Sequence, residues 1–129
     1  MAIERQRRVV RACAPDTTLV NLAITYTSSG TTYAVTAGDK SLVTSITNNG
    51  TGSFTINFKQ VGYSLCGASI TPIVASPGTA AVQSGVIKAF SSSGKTCNVQ
   101  LLKGDGSAVV PADADLILVT LIFRDSVGV

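Results

Sequence analysis

The sequence predicts an all-β domain of about eight antiparallel strands, arranged as a sandwich or a barrel. Residues 53–58 alternate strictly between apolar and polar side chains, which is typical of a strand with one buried face. Clusters of Gly, Ser, Asn and Pro recur between short apolar stretches, at the spacing expected of sandwiches and barrels. A chain of 129 residues is long enough for one domain with its own core.

The clearest element is a β-hairpin at residues 41–60, which we place at the centre of the domain. Its second strand alternates three apolar residues with three polar ones, namely Phe54, Ile56 and Phe58 with Thr55, Asn57 and Lys59. Residues 48–52 (Asn-Asn-Gly-Thr-Gly) tolerate positive φ and therefore predict the turn. Residues 41–47 are the partner strand.

The remaining strands are delimited by turn residues, and residues 19–26 also alternate strictly. They are predicted over residues 19–26, 31–36, 68–74, 85–90, 96–102 and 115–124. Pro72 lacks the N–H donor of a sheet ladder, so residues 68–74 are predicted to form an edge strand. Residues 61–67 form an irregular or bulged connection, and residues 3–12 form either a short helix or an extended arm.

The last strand is apolar on both faces over residues 116–123, so we expect both faces to be covered. One cover is the core of the domain, and the other is either loops of the second sheet or a neighbouring subunit. Only 13% of the residues are charged, which favours a subunit. The candidate oligomer interface on this strand consists of Ile117, Val119, Leu121 and Phe123.

The net charge of +3 is concentrated near the N-terminus. Glu4 and four arginines (Arg5, Arg7, Arg8 and Arg11) already sum to +3, whereas the rest of the chain carries six basic and six acidic residues. We define residues 1–16 as a basic arm and residues 17–129 as the domain. The arginines could contact nucleic acid, contact an acidic protein surface or remain solvated. No aromatic residues lie among them, so base stacking is not expected.

No set of residues predicts catalysis, a cofactor or a metal. The chain has no His and three Cys, none in a C-x-x-C pair, so we expect buried free thiols, with one Cys66–Cys97 disulfide as the alternative. Asp113 and Asp115, with Asp105 nearby in sequence, could bind calcium or act as acid and base. The alternative is a turn whose carboxylates accept backbone hydrogen bonds. The glycine-containing segments 93–96 and 103–106 are predicted to be turns rather than phosphate loops.

A membrane span is not expected either, because no apolar run approaches about 20 residues.

Residues 49–58, a later Cys-containing strand and residues 113–116, which open the apolar last strand, together resemble a group of small phage virion proteins. In that group a Gly-Thr-Gly turn leads into a strand of the form aromatic-Thr-Ile-x-Phe, as residues 50–58 do here. The group is similar to the jelly rolls of complement-component and tumour-necrosis-factor type, which commonly form trimers. The resemblance implies an antiparallel β-sandwich of jelly-roll type.

The resemblance also implies a function. The expected function is that of a structural virion protein and not an enzyme, specifically a capsid decoration (cement) protein on the surface of a phage head shell, made in the host cytoplasm. Its expected partners are the major capsid protein and further copies of itself, as a dimer or trimer. Nucleic acid is not expected, because decoration proteins sit outside the shell. The alternative is a receptor- or carbohydrate-binding tip module of a tail fibre, with recognition by loops around Tyr63 and residues 91–95.

Overall fold

The computed structural model describes residues 17–61 and 64–124, and the basic arm, with its four arginines, lies outside them. The described residues form eight strands and one short 3₁₀ helix, Lys40–Leu42. In chain order the strands are β1 (Thr17–Thr27), β2 (Thr32–Gly38), β3 (Val43–Gly50), β4 (Ser53–Phe58), β5 (Ser64–Ile73), β6 (Ser84–Ser91), β7 (Thr96–Leu102) and β8 (Leu116–Arg124). The prediction of an all-β domain with about eight strands is confirmed.

The strands form two antiparallel four-stranded sheets that pack as a sandwich. The first sheet has the order β2-β1-β8-β5 and the second the order β3-β4-β7-β6. At the two sides of the sandwich, β2 contacts β3 and β5 contacts β6. Three hairpins, β1–β2, β3–β4 and β6–β7, each stay within one sheet. The antiparallel sandwich is therefore confirmed, whereas this strand order does not confirm jelly-roll connectivity.

The predicted central hairpin is β3–β4, and its turn has the backbone that the sequence predicts. Thr51 and Gly52, the two residues between the strands, have φ of 36° and 73°. Positive φ at both positions matches the twist of a two-residue hairpin. A Cβ on Gly52 would lie 1.8 Å from the carbonyl oxygen of Val109, so only glycine fits there. Within the hairpin, β4 is central in its sheet and β3 lies at the edge.

The strand that contains Pro72 lies at the edge of the first sheet, as predicted. This strand, β5, begins at Ser64, earlier than the sequence indicates, and its pairing with β8 shifts between Leu65 and Gly67. The bulge falls within the segment predicted to be irregular. Pro72 is tolerated because an edge strand leaves half of its backbone donors unpaired.

The core lies between the two sheets and is built mainly by alternate residues of the four central strands. These residues are Val20, Leu22 and Ile24 on β1, Phe54, Ile56 and Phe58 on β4, Cys97, Val99 and Leu101 on β7, and Ile117, Val119, Leu121 and Phe123 on β8. Full burial of one such side chain contributes about 1.5–3 kcal/mol. Since a small domain is stable by only about 5–15 kcal/mol, the fold depends on nearly all of them.

Aromatic contacts join the sheets in two places. The ring of Tyr33 lies 4.8 Å from that of Tyr26 and 4.6 Å from that of Phe54, between ring centroids. Phe123 lies 5.7 Å from Phe58 and 5.6 Å from Phe90. Burial, with a smaller contribution from Tyr26, raises the pKa of Tyr33 to about 12. Five of these rings are buried in the core of the sandwich, and Phe90 is partly buried against it.

We expect Val119→Asp to prevent folding and Leu118→Asp to leave a folded chain. Val119 is 1% exposed, so a carboxylate there would be buried without a partner, whereas the neighbouring Leu118 is only partly buried on the opposite face. Circular dichroism and urea unfolding of the two variants measure the difference. Equal loss of structure in both would contradict this assignment of the two faces of β8.

Candidate interaction surface

The two apolar faces of β8 have different surroundings. Ile117, Val119, Leu121 and Phe123 are only 1%, 1%, 0% and 2% exposed, because they pack against the second sheet in the core of the same chain. The prediction that these four residues form an oligomer interface is therefore wrong. Both faces of the strand are apolar in the sequence, and only the packing of the sheets shows which one points inward.

The opposite residues of β8 point away from the core. The strand register aligns each of Leu116, Leu118 and Ile122 with an apolar neighbour on one side and with Thr25, Thr71 or Gly67, respectively, on the other. Leu19 pairs with Ile122 in one row, and Ala23 pairs with Leu118 in another. Leu116 pairs with Ile73 in a third row. We call this surface of the first sheet the outer apolar face, and it comprises Leu19, Ala23, Ala34, Ala37, Ile73, Leu116, Leu118 and Ile122. Leu19, Ile73 and Ile122 are 56%, 51% and 36% exposed, so this face is open to solvent in the single chain.

The outer apolar face is also almost free of charge. Among all residues of β1, β2, β5 and β8, the one charged side chain is that of Arg124, at the end of β8. Between the apolar rows, the Thr120 hydroxyl donates to Asn21 Oδ1 at 2.9 Å, so these polar groups bond to each other across the strands. The first sheet therefore offers apolar area rather than charge to a partner.

The outer face of the second sheet is polar by contrast. The Thr55 hydroxyl donates to Asn98 Oδ1, and Asn57 Nδ2 donates to the hydroxyls of Ser45 and Thr47 at 3.0 Å each. These hydroxyl and amide groups, on strands β3, β4 and β7, satisfy one another. The sandwich therefore has two unlike outer faces, one apolar and one covered by a neutral hydrogen-bonded network.

The carboxylates of Asp113 and Asp115 hold loops in place. Asp113 accepts hydrogen bonds from the backbone N–H of Ser28 at 2.6 Å and from its hydroxyl at 3.0 Å, which fixes the β1–β2 turn. Asp115 is 3% exposed and accepts from the backbone N–H groups of Ala75 at 3.2 Å and Ala112 at 3.0 Å. Of the two alternatives from the sequence, the structure shows the turn whose carboxylates accept backbone hydrogen bonds.

The other two described carboxylates, Asp39 and Asp105, are used in the same way. Asp39 accepts from the backbone N–H of Asn21 at 2.7 Å. The hydroxyl and the backbone N–H of Ser107 donate to Asp105 and hold the pKa of that carboxyl below its usual value. Within residues 17–61 and 64–124, no group of three or more His, Cys, Asp or Glu side chains could hold a metal ion. The structure thus does not assemble Asp105, Asp113 and Asp115 into a site.

A depression beside Asp115 is one concave feature of the described surface. It is lined mainly by small and apolar side chains, among them Ala75, Val82 and Val110. The carboxylate is the one charged group in its wall, and both of its oxygens already accept backbone hydrogen bonds. The depression therefore offers a ligand little polar chemistry. The segments 93–96 and 103–106 are turns, as predicted.

Cys66 and Cys97 are both free thiols, so the alternative of a disulfide between them is not realised. Cys97 is fully buried on β7, and burial raises the pKa of its thiol to about 11. Cys66 is exposed on the edge strand β5, contrary to the expectation of a buried thiol, and its Sγ donates to the Ile122 carbonyl oxygen at 3.3 Å. Cys13 lies outside the described residues.

Comparison of the chain with protein-family models, with curated proteins and with solved structures found no match to any of them. The resemblance to phage virion proteins therefore stays a prediction. In the part of the chain that the structure describes, no helix is long and apolar enough to cross a membrane.

We expect Asp115→Ala to lower the free energy of unfolding by about 2–3 kcal/mol, because two backbone donors lose a charged acceptor. Asp115→Asn keeps one acceptor and should cost about half as much. Asp105→Ala serves as a control, since that carboxylate bonds only within its own exposed turn. Urea unfolding of the three variants gives the comparison, and an unchanged midpoint for Asp115→Ala would contradict the structural role of this carboxylate.

The two thiols should differ in reactivity. In the native protein at pH 8, maleimide should label Cys66 and leave Cys97 unmodified. Cys97 is buried, and the raised pKa of its thiol disfavours the reactive thiolate. In urea both should react. Peptide mapping by mass spectrometry measures each site separately, so Cys66 acts as the internal control. Native labelling of Cys97 at the rate of Cys66 would show that the core opens readily.

Proposed function

We propose that this protein is a structural, non-enzymatic virion protein, most specifically a capsid decoration (cement) protein that binds the major capsid protein on the surface of a phage head shell. The observation that carries the proposal is the outer apolar face, an almost uncharged sheet surface suited to contacts between subunits. Such a surface associates by area and shape complementarity, and the basic arm is left to attach to the shell. A protein that stabilises a shell acts through contacts of this kind and has no use for a catalytic group.

The use of the charged residues supports the same proposal. All four described carboxylates accept hydrogen bonds that hold loops or turns, from another segment for Asp39, Asp113 and Asp115 and within its own turn for Asp105. The arginines of the basic arm hold the net charge, and in this proposal they contact an acidic patch on the capsid protein. Synthesis in the host cytoplasm is compatible with the free thiols of Cys66 and Cys97. Nucleic acid is not a partner in this proposal, because the protein lies outside the shell.

The alternative from the sequence is a receptor- or carbohydrate-binding tip of a tail fibre. Of its expected recognition loops, residues 91–95 include an exposed turn at 92–95, whereas Tyr63 lies outside the described residues. Sugar binding, however, commonly uses exposed aromatic rings, and all six aromatic residues of the described part of the chain pack in or against the core. The amides and hydroxyls on the second sheet also bond to one another. These contacts favour the decoration role.

The test is a binding titration on shells that lack the protein, with two full-length variants of equal charge. One variant replaces the arginines of the arm, as Arg5→Gln, Arg7→Gln, Arg8→Gln and Arg11→Gln. The matched control removes four positive charges from the domain, as Lys40→Gln, Lys59→Gln, Lys88→Gln and Lys95→Gln. At low salt we expect the arm variant to bind at least about tenfold more weakly than the control, because the arm supplies the local attraction.

The difference between the variants should shrink as salt is raised, since the Debye length falls to about 8 Å at physiological ionic strength and less above it. Equal affinities of the two variants would show that the arm is a solvated tail. No binding of the wild-type protein to bare shells would overturn the decoration role itself.

A further inference from the structure

The outer apolar face has no partner among the residues that the structure describes, 17–61 and 64–124, and we infer that a second copy of this chain covers it, so that two first sheets pack face to face in a two-fold dimer. This inference places the interface on the side of β8 opposite to the core residues. It concerns the protein in solution and does not depend on whether the protein binds a shell.

The exposed apolar area is the first argument. Leu19 and Ile122 lie side by side in one row of the face and Ile73 lies in another, and they are 56%, 36% and 51% exposed. Four strands about 4.8 Å apart, each with about seven residues at about 3.3 Å, give the whole outer surface of the first sheet, with its threonines and serines included, an area of roughly 450 Å² in projection. Two copies would bury on the order of 1,000 Å² together, which is near the lower limit of a specific interface. We therefore expect a dissociation constant in the micromolar range.

The absence of charge argues that the occupant is a second copy. In a two-fold interface the same patch meets itself, so any charge near its centre would face a like charge. The strands of the first sheet carry only Arg124, which lies at one end of β8. If the strands of the two copies run antiparallel, their Arg124 side chains lie at opposite ends of the interface. The charge pattern of the face is thus compatible with self-association.

The sizes of the side chains also fit self-association. Leu118 pairs with Ala23 on β1, and Ala23 in turn pairs with Ala37 on β2. In this row the face consequently has a bulky side chain on β8 beside small ones on β1 and β2, whereas Leu19 adds a bulky side chain on β1 in the row of Ile122. Ridges next to shallow troughs allow two sheets to pack closely, as the inner faces of this sandwich already do. The second sheet, with its hydrogen-bonded polar network, offers no comparable surface.

Analytical ultracentrifugation of the full-length protein from about 1 to about 200 µM tests the inference. We compare the wild type with Ile122→Lys and Leu19→Lys, which place a charge on the outer apolar face. The matched control is Val86→Lys, because Val86 is 45% exposed and lies on the outer face of the second sheet, paired with Gln100. All three sites are exposed, so the variants should fold, which circular dichroism verifies.

The expected result is a wild-type monomer–dimer equilibrium whose dissociation constant rises at least about tenfold in Ile122→Lys and Leu19→Lys, and less than about twofold in Val86→Lys. A monomeric wild type at all concentrations, a trimer, or equal weakening by Val86→Lys would each overturn the inference. If the wild type is monomeric but binds shells, only the dimer is wrong. If it dimerises but does not bind shells, only the decoration role is wrong.

Discussion

The structure depends on the face-to-face packing of two central strand pairs, β1–β8 of the first sheet and β4–β7 of the second. The core residues of each of these strands occupy alternate positions. The packing of the two sheets therefore decides which side chains of all four strands point inward and which point outward. Phe54, Ile56, Leu121 and Ile24 are 0% exposed because they meet in this layer. When the inward side chains form this layer, the alternate residues of β8 must lie on the opposite side of the sheet.

The scarcity of charge on the strands is linked to how the loops are held. Each described carboxylate lies in a loop or turn and accepts hydrogen bonds from another segment or from its own turn. Asp115, for example, connects the segment after β5 with the segment before β8, which are distant in the chain. The carboxylates thus fix connections, and the eight strands carry only two charged side chains, those of Lys88 and Arg124.

This distribution produces a molecule with three unlike surfaces: an apolar sheet face, a neutral hydrogen-bonded sheet face and a basic arm in the sequence. Each is suited to a different kind of contact. Apolar area favours close packing against another surface, whereas the arginines favour long-range attraction to an anionic partner. A decoration protein that pairs through one surface and attaches through another would use both, and the polar face would remain in contact with water.

The sequence by itself determined the class of fold, because alternation with a period of two and turn residues with positive φ are local properties. Residues 48–58 show this best, since both the turn at Thr51 and Gly52 and the alternation along β4 follow from them. The edge position of the strand that contains Pro72 followed from a missing N–H donor. The order of the strands in each sheet could not be predicted from the sequence, because it depends on contacts between residues far apart in the chain.

Tertiary structure alone decided which face of β8 is buried. Residues 116–123 are apolar throughout except for Thr120, so the sequence pattern does not show which face of the strand points inward. The four residues predicted to form an interface are buried in the core. The roles of Asp113 and Asp115 were equally open in the sequence, because their donors, Ser28 and Ala75, lie 85 and 40 residues away. Side chains that act on distant segments acquire a role only when the fold brings those segments together.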